Sequence, residues 1–164
     1  MSLALIIKLV HMWGGIGLIV GILGRGIILR QARRSGQIGK VAALTRLAGH
    51  FERLLVIPCS YIILLFGAGA AAIGGWPLFG FLQGARSNWL LVSLLLFLSM
   101  IPLIIFVFIP RGRVFGQALE DALRRERVTP ELMAAFADKY VAAAHVYELV
   151  TLFCIVILMI TKPF

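Results

Sequence analysis

The sequence predicts an all-α protein whose fold is a transmembrane four-helix bundle. Three observations predict it: an apolar composition, four long apolar runs, and basic residues concentrated in two of the three loops. Of the 164 residues, 61% are hydrophobic and the mean hydropathy is +1.00, whereas a soluble domain is about 45–50% apolar. Because lipid cannot satisfy exposed backbone N–H and C=O groups, apolar runs of this length are expected to be helices.

The four apolar runs predict four spans in a single domain that covers residues 1–164. The predicted spans are 3–29, 54–75, 88–110 and 141–161. Each contains about 20 residues or more, which is enough to cross a hydrocarbon core of about 30 Å. The first run is too long for a cleaved signal peptide, whose apolar region has about 7–15 residues, so it is interpreted as a retained span.

The charges of the loops predict the orientation. The basic residues of the first and third loops are Arg30, Arg33, Arg34, Lys40, Arg46, Arg53, Arg111, Arg113, Arg124, Arg125, Arg127 and Lys139. The second loop carries only Arg86. The positive-inside rule therefore predicts basic cytoplasmic loops and an N-out/C-out topology. The net charge of +9 is interpreted as loop orientation and contact with anionic headgroups, with no nucleic-acid partner.

Glycine and proline predict local features of the spans. Gly17 and Gly21 form a small-xxx-small pair on the first span, which is typical of close helix packing. Pro58 and Pro102 are expected to kink the second and third spans, and Pro110 is expected to end the third. Thr129 followed by Pro130 suits a helix start, and this helix is expected to continue into the fourth span.

The first and last spans carry ionisable residues at membrane depth. His11 and Arg25 lie on the glycine-rich stripe of the first span, and His145 and Glu148 share one face of the fourth. Ionisable groups in a membrane face protein or water, and an unpaired buried charge costs several kcal/mol. These residues therefore predict a buried ion pair between Arg25 and Glu148.

His50 and Arg53, at the start of the second span, are expected to lie at the same depth. The predicted polar cluster is Arg25, His50, Arg53, His145 and Glu148. Three interpretations of the cluster remain open. It is a structural hydrogen-bond and ion-pair network, a haem b site, or a proton relay or divalent-metal site at His145 and Glu148. No catalytic residue and no metal site is assigned.

The haem interpretation rests on three histidines and two arginines. His50 and His145 would be the axial ligands, because bis-histidine ligation needs two imidazoles at one depth on facing helices. Arg25 and Arg53 would then lie near the propionates. His11 belongs to the opposite side of the membrane, where it would serve as a lone ligand.

Several short motifs resemble a known family. They are KLVHMWGG in the first span, FERLLVIPCSYIILLFGAG in the second, GWPLF in the second loop and LMITKPF at the end. Over nearly the whole chain they resemble a bacterial family of predicted integral membrane proteins, domain of unknown function twenty-two sixty-nine. The resemblance implies a multi-pass protein of the bacterial inner membrane.

The same family resembles a wider superfamily that includes CopD-like copper-resistance proteins and the HemJ-type protoporphyrinogen oxidase. In the HemJ type a histidine early in the first span binds haem, and His11 occupies the similar position here. Two functions are therefore expected as alternatives. One is a non-enzymatic accessory or structural subunit that packs against other membrane subunits or a second copy. The other is a haem b redox protein that oxidises a porphyrin or passes electrons to quinone.

Overall fold

The computed structural model describes residues 2–163, and the regular secondary structure in this range is entirely helical. The helices are α1 (Leu3–Arg34), α2 (Ile38–Ile73), α3 (Trp89–Arg124), α4 (Pro130–Phe136) and α5 (Lys139–Thr161), with a short 3₁₀ turn at Gly80–Gln83. Four helical stretches are long and apolar enough to cross a membrane, α4 and α5 together forming the fourth. The predicted four-helix transmembrane fold is confirmed. Met1 and Phe164, the ends of the predicted domain, lie outside the described residues.

The helices extend beyond the predicted spans at one end of the bundle. This end, formed by residues 30–53 and 111–139, is called the basic end, and the opposite end, with Trp76 and Trp89, the tryptophan end. The expected continuous helix from Thr129 into the fourth span is wrong, because α4 ends at Phe136 and α5 begins at Lys139. The Asp138 carboxylate accepts the N–H groups of the next helix, and such local bonds favour a new helix start.

Two prolines follow π-helical turns. The turns are Glu52–Val56 in α2 and Ile104–Phe108 in α3, and Pro58 and Pro110 come two residues after them. A proline ring clashes with the carbonyl four residues earlier in a regular helix, and in both cases that carbonyl lies inside the π-helical turn. The widened turn lets each helix pass through its proline, so the third helix continues beyond Pro110 to Arg124.

The bundle consists of two helical hairpins, α1 with α2 and α3 with α5. In the first hairpin, glycines of α1 lie directly against α2. A Cβ atom added at Gly14, Gly17, Gly21 or Gly24 would come within 2.4–2.9 Å of Ile62, Cys59, Val56 or Phe51, respectively. The predicted close packing is confirmed, and its partner is the chain's own second helix.

Two apolar clusters hold the bundle together. The first, between the hairpins, consists of Leu18, Ile22, Val56, Cys59 and Leu152, and the second, at the basic end, of Val41, Ala122 and Leu132. The second cluster joins the ends of the long helices to α4. The basic end is therefore a packed helical layer rather than a set of loose loops.

Candidate functional site

Arg25 is the centre of a polar cluster between the two hairpins. Its Nη2 donates a hydrogen bond to Glu148 Oε2 on α5 at 2.8 Å, and its Nη1 donates to Glu52 Oε2 on α2. The side chains of Arg25 and Glu148 are only 12% and 10% exposed. One guanidinium thus joins carboxylates from two other helices.

His145 and Phe108 complete the cluster. His145 Nδ1 lies 3.2 Å from Arg25 Nη2 and 3.2 Å from Glu148 Oε2. The Phe108 ring lies on the imidazole with a centroid separation of 4.8 Å, and the Arg25 guanidinium carbon is 5.7 Å from the Phe108 centroid. Since Phe108 belongs to α3, all four long helices contribute a side chain to the cluster.

The two π-helical turns position two of these side chains. Glu52 is the first residue of one turn and Phe108 is the last residue of the other. A π-helical turn changes the direction of the side chains around it, and such turns are frequent at functional sites. Glu52 and Phe108 were not predicted from the sequence. The one available signal was that Glu52 is the sole acidic residue of the first basic loop.

The charged groups of the cluster are closely paired, because Glu52 and Glu148 both contact the guanidinium of Arg25. A buried guanidinium without a partner would be strongly destabilising, and so would either carboxylate. Arg25 Nε is buried and has no hydrogen-bond partner among residues 2–163. The two Nη atoms therefore make all the polar contacts of this guanidinium in the described chain, and they fix the relative rotation of α1, α2 and α5.

The structure brings Arg25, His145 and Glu148 together but leaves His50 and Arg53 outside. Both of these side chains are exposed, and no hydrogen bond or ion pair between described residues joins them to the cluster. The physical reason is the rotation of α2. Phe51 and Val56 face the glycines of α1 and Glu52 faces Arg25, so His50 and Arg53 look away from the bundle interior.

His11 lies apart from the cluster, toward the tryptophan end. It precedes Arg25 by fourteen residues, which is about 21 Å along the helix axis. Its Nδ1 is 3.0 Å from the carbonyl oxygen of Ile63, and its ring lies against Gly67, where an added Cβ would be 2.9 Å from the ring. The imidazole is therefore held in one orientation by α2.

The histidines differ in what they could offer a cofactor. With its Nδ1 at a backbone carbonyl, His11 can present Nε2 to a ligand, which is the usual arrangement of a metal-ligating imidazole. His145 directs Nδ1 to Arg25 and Glu148, and its Nε2 likewise has no hydrogen-bond partner in the described range. His50 has no polar partner in the described range. No group of three or more His, Cys, Asp or Glu side chains within residues 2–163 is arranged to hold a metal ion.

An apolar groove lies beside the cluster, in the seam between α1 and α5. Its volume is about 440 Å³, and its lining includes Ile19, Leu23, Leu149, Val150, Phe153 and Val156. A second groove of about 340 Å³ lies between Ile7 and Gly69, near His11. Both volumes lie within the usual range of ligand sites, about 300–1,000 Å³.

Comparison with protein families gives a match that extends over residues 5–163. The matching family is described as "Predicted integral membrane protein (DUF2269)". The chain belongs to this family. Together with the four apolar helices, the match shows a multi-pass integral membrane protein. No curated protein and no solved structure matches the chain.

Proposed function

We propose that this DUF2269 protein is a non-enzymatic subunit of the bacterial inner membrane that packs against other membrane helices. The observation that carries the proposal is the pairing of Arg25. Its two Nη atoms are used by Glu52 and Glu148 on two other helices, and its side chain is nearly buried. A guanidinium that joins carboxylates on two other helices acts as a structural clamp between those helices.

The seam between α1 and α5 is the surface proposed for a partner helix, from another subunit or a second copy of the chain. The glycine face of α1 is not free for this role, because α2 already covers it. In the seam, Val150 is 56% exposed beside the apolar groove. Helices associate in lipid by close packing, and a groove of this volume would accept side chains from a partner.

The basic end supports the cytoplasmic orientation of the first and third loops. All six basic residues of the first loop are exposed, and the one acidic residue of that loop is bound to Arg25. The positive charge of this end is therefore available to anionic headgroups. The proposed topology places both termini on the periplasmic side, in agreement with the positive-inside rule.

The partner proposal is tested by purifying the tagged protein from its native membrane in a mild detergent and measuring its mass by native mass spectrometry. We expect a colourless complex larger than one chain. Val150→Trp should release the partner, because the indole fills the groove. Ile105→Trp, at a residue that is 51% exposed outside this groove, should leave the complex intact. A single colourless chain in every sample would contradict the proposal.

A second candidate function is haem b binding by His11, as in the CopD-like and HemJ-like superfamily. The orientation of His11 by the Ile63 carbonyl favours it. A bound haem would supply one-electron chemistry for porphyrin oxidation or transfer to quinone, and His11 would hold the iron through Nε2. His50 and His145, with Arg25 and Arg53, remain the predicted alternative site.

An absorbance spectrum of the purified protein separates the two functions. A Soret band that shifts on dithionite reduction would support the haem function. Single replacements of His11, His50 and His145 by alanine would then identify the ligand. Survival of the band in all three variants would exclude these histidines.

A further inference from the structure

We propose that α2 carries a binding site for the headgroup of an anionic phospholipid. The site consists of Arg46, Gly49, His50 and Arg53 and is called the α2 patch. It lies outside the Arg25 cluster, and it is compatible with a subunit or with haem at His11, whereas haem held by His50 and Arg53 would exclude it. The proposal gives a role to His50 and Arg53, which the structure leaves outside the polar interior.

The spacing of the α2 patch places its members on one face. Residues three and four positions apart are neighbours on a helix surface, and this is the spacing of Gly49 and His50 relative to Arg46. Arg53 follows His50 by three residues, at the start of the π-helical turn. The side chains of Arg46, His50 and Arg53 are exposed. A Cβ added at Gly49 would meet nothing within 4 Å, so no side chain covers the helix surface between the flanking basic residues, and this uncovered position is called the notch.

The positive charge of the α2 patch is not neutralised by the chain. Neither Arg46 nor Arg53 forms an ion pair with another described residue. The adjacent carboxylate of Glu52 is turned to the opposite side and bound to Arg25. Arginine is well suited to phosphate, because its planar guanidinium donates two parallel hydrogen bonds. A phosphodiester in the notch would therefore meet two free guanidinium groups.

The position of the α2 patch along the helix favours a lipid. The patch lies where the apolar run of α2 begins, because Arg53 directly precedes Leu54. Beyond it, the helix presents Leu54, Ile57 and Tyr61, which are 68%, 45% and 65% exposed. A phospholipid bound with its phosphate in the notch would lay its acyl chains along these residues. A free phosphate would gain nothing from that apolar face.

The charge of the α2 patch is tested in the full chain, purified in detergent, by native mass spectrometry with phosphatidylglycerol and phosphatidylcholine. We expect the wild type to bind phosphatidylglycerol preferentially. The double variant Arg46→Gln/Arg53→Gln should weaken this binding by about tenfold or more per arginine, since each substitution removes charge-assisted hydrogen bonds to the phosphate. The control Arg33→Gln/Arg34→Gln removes the same charge from exposed positions of α1 and should leave the lipid preference unchanged.

The shape of the α2 patch is tested without changing its charge. Gly49→Leu fills the notch and should abolish the preference for phosphatidylglycerol. Gly112→Leu, at another helical glycine with open space around it, should retain it. Equal binding of the two lipids by the wild type, or equal losses in the patch and control variants, would show diffuse surface attraction and overturn the proposal. Inorganic phosphate that competes fully with the lipid would also overturn it, because the acyl chains would then contribute nothing.

Discussion

The two hairpins hold their helices together by different kinds of contact. In the α1–α2 hairpin, glycines let the helices approach until side chains of α2 lie against the backbone of α1. In the α3–α5 hairpin, larger side chains meet through polar and aromatic contacts. Ser99 Oγ and Tyr147 Oη are 2.6 Å apart, and Arg111 pairs with Asp138.

This difference shows what holds helices together in lipid. Acyl chains are as apolar as leucine, so burial of apolar surface alone gives little drive for helices to associate. Helix association in lipid then depends on close packing of small residues and on hydrogen bonds between helices. Each hairpin relies mainly on one of these two. The Arg25 cluster then links the hairpins to each other. Three predictions test this division, from the largest expected effect to the smallest.

Replacement of the central charge should have the largest effect. Arg25→Leu removes the partner of Glu52 and leaves the buried Glu148 with only His145 beside it, and breaking a buried pair costs about 3–5 kcal/mol. Thermal unfolding in detergent should show the loss. The exposed Arg30→Leu should have little effect, and adding Glu148→Gln to Arg25→Leu should recover part of the stability. Equal unfolding temperatures for the Arg25 and Arg30 variants would contradict the clamp.

Overpacking of the glycine hairpin should have the next largest effect. Gly21→Leu inserts a side chain where even a Cβ would be 2.9 Å from Val56 and 3.2 Å from its backbone nitrogen. Overpacking of this kind costs about 1–3 kcal/mol. Gly15→Leu is the matched control, because no atom lies within 4 Å of its added Cβ. Equal unfolding temperatures for the two variants would contradict this prediction.

The polar hairpin should be the least sensitive to a single change. Ser99→Ala and Tyr147→Phe each remove one partner of a hydrogen bond between helices, and such bonds contribute about 0.6 kcal/mol in membranes. A double-mutant cycle measured by unfolding should give a coupling of about this size. A coupling near zero would assign the cohesion of this hairpin to its aromatic contacts and ion pair.

The sequence is sufficient to predict the four spans, because length and apolar composition act locally. It also predicts a partner for Arg25 in Glu148, since the cost of burying a lone charge does not depend on structural detail. The structure places these two groups 2.8 Å apart. Both predictions follow from the solvent, which is lipid, rather than from the packing of particular side chains.

The rest of the cluster depends on the rotation of α2, which the sequence does not specify. Glu52 and Arg53 are neighbours in the chain, yet only Glu52 faces Arg25. Which of them turns inward is decided by the contacts of Phe51 and Val56 with the glycines of α1 and by the π-helical turn. The rotation of α2 depends on its packing against α1. The sequence could therefore predict that a cluster of charges forms, but not which residues of α2 belong to it.

The π-helical turn of α2 also divides the helix into two parts, one before Glu52 and one after Val56, whose side chains point in separately set directions. It takes up a residue more than a regular turn would, so the side chains before Glu52 and those after Val56 keep independent angular settings. The orientation of the side chains before Glu52 can therefore change while the part that faces the glycines of α1 keeps its register. Deleting one residue within the turn would restore a regular turn and leave the two halves near their present orientation, whereas a deletion elsewhere in α2 would rotate one half by about 100° against the other.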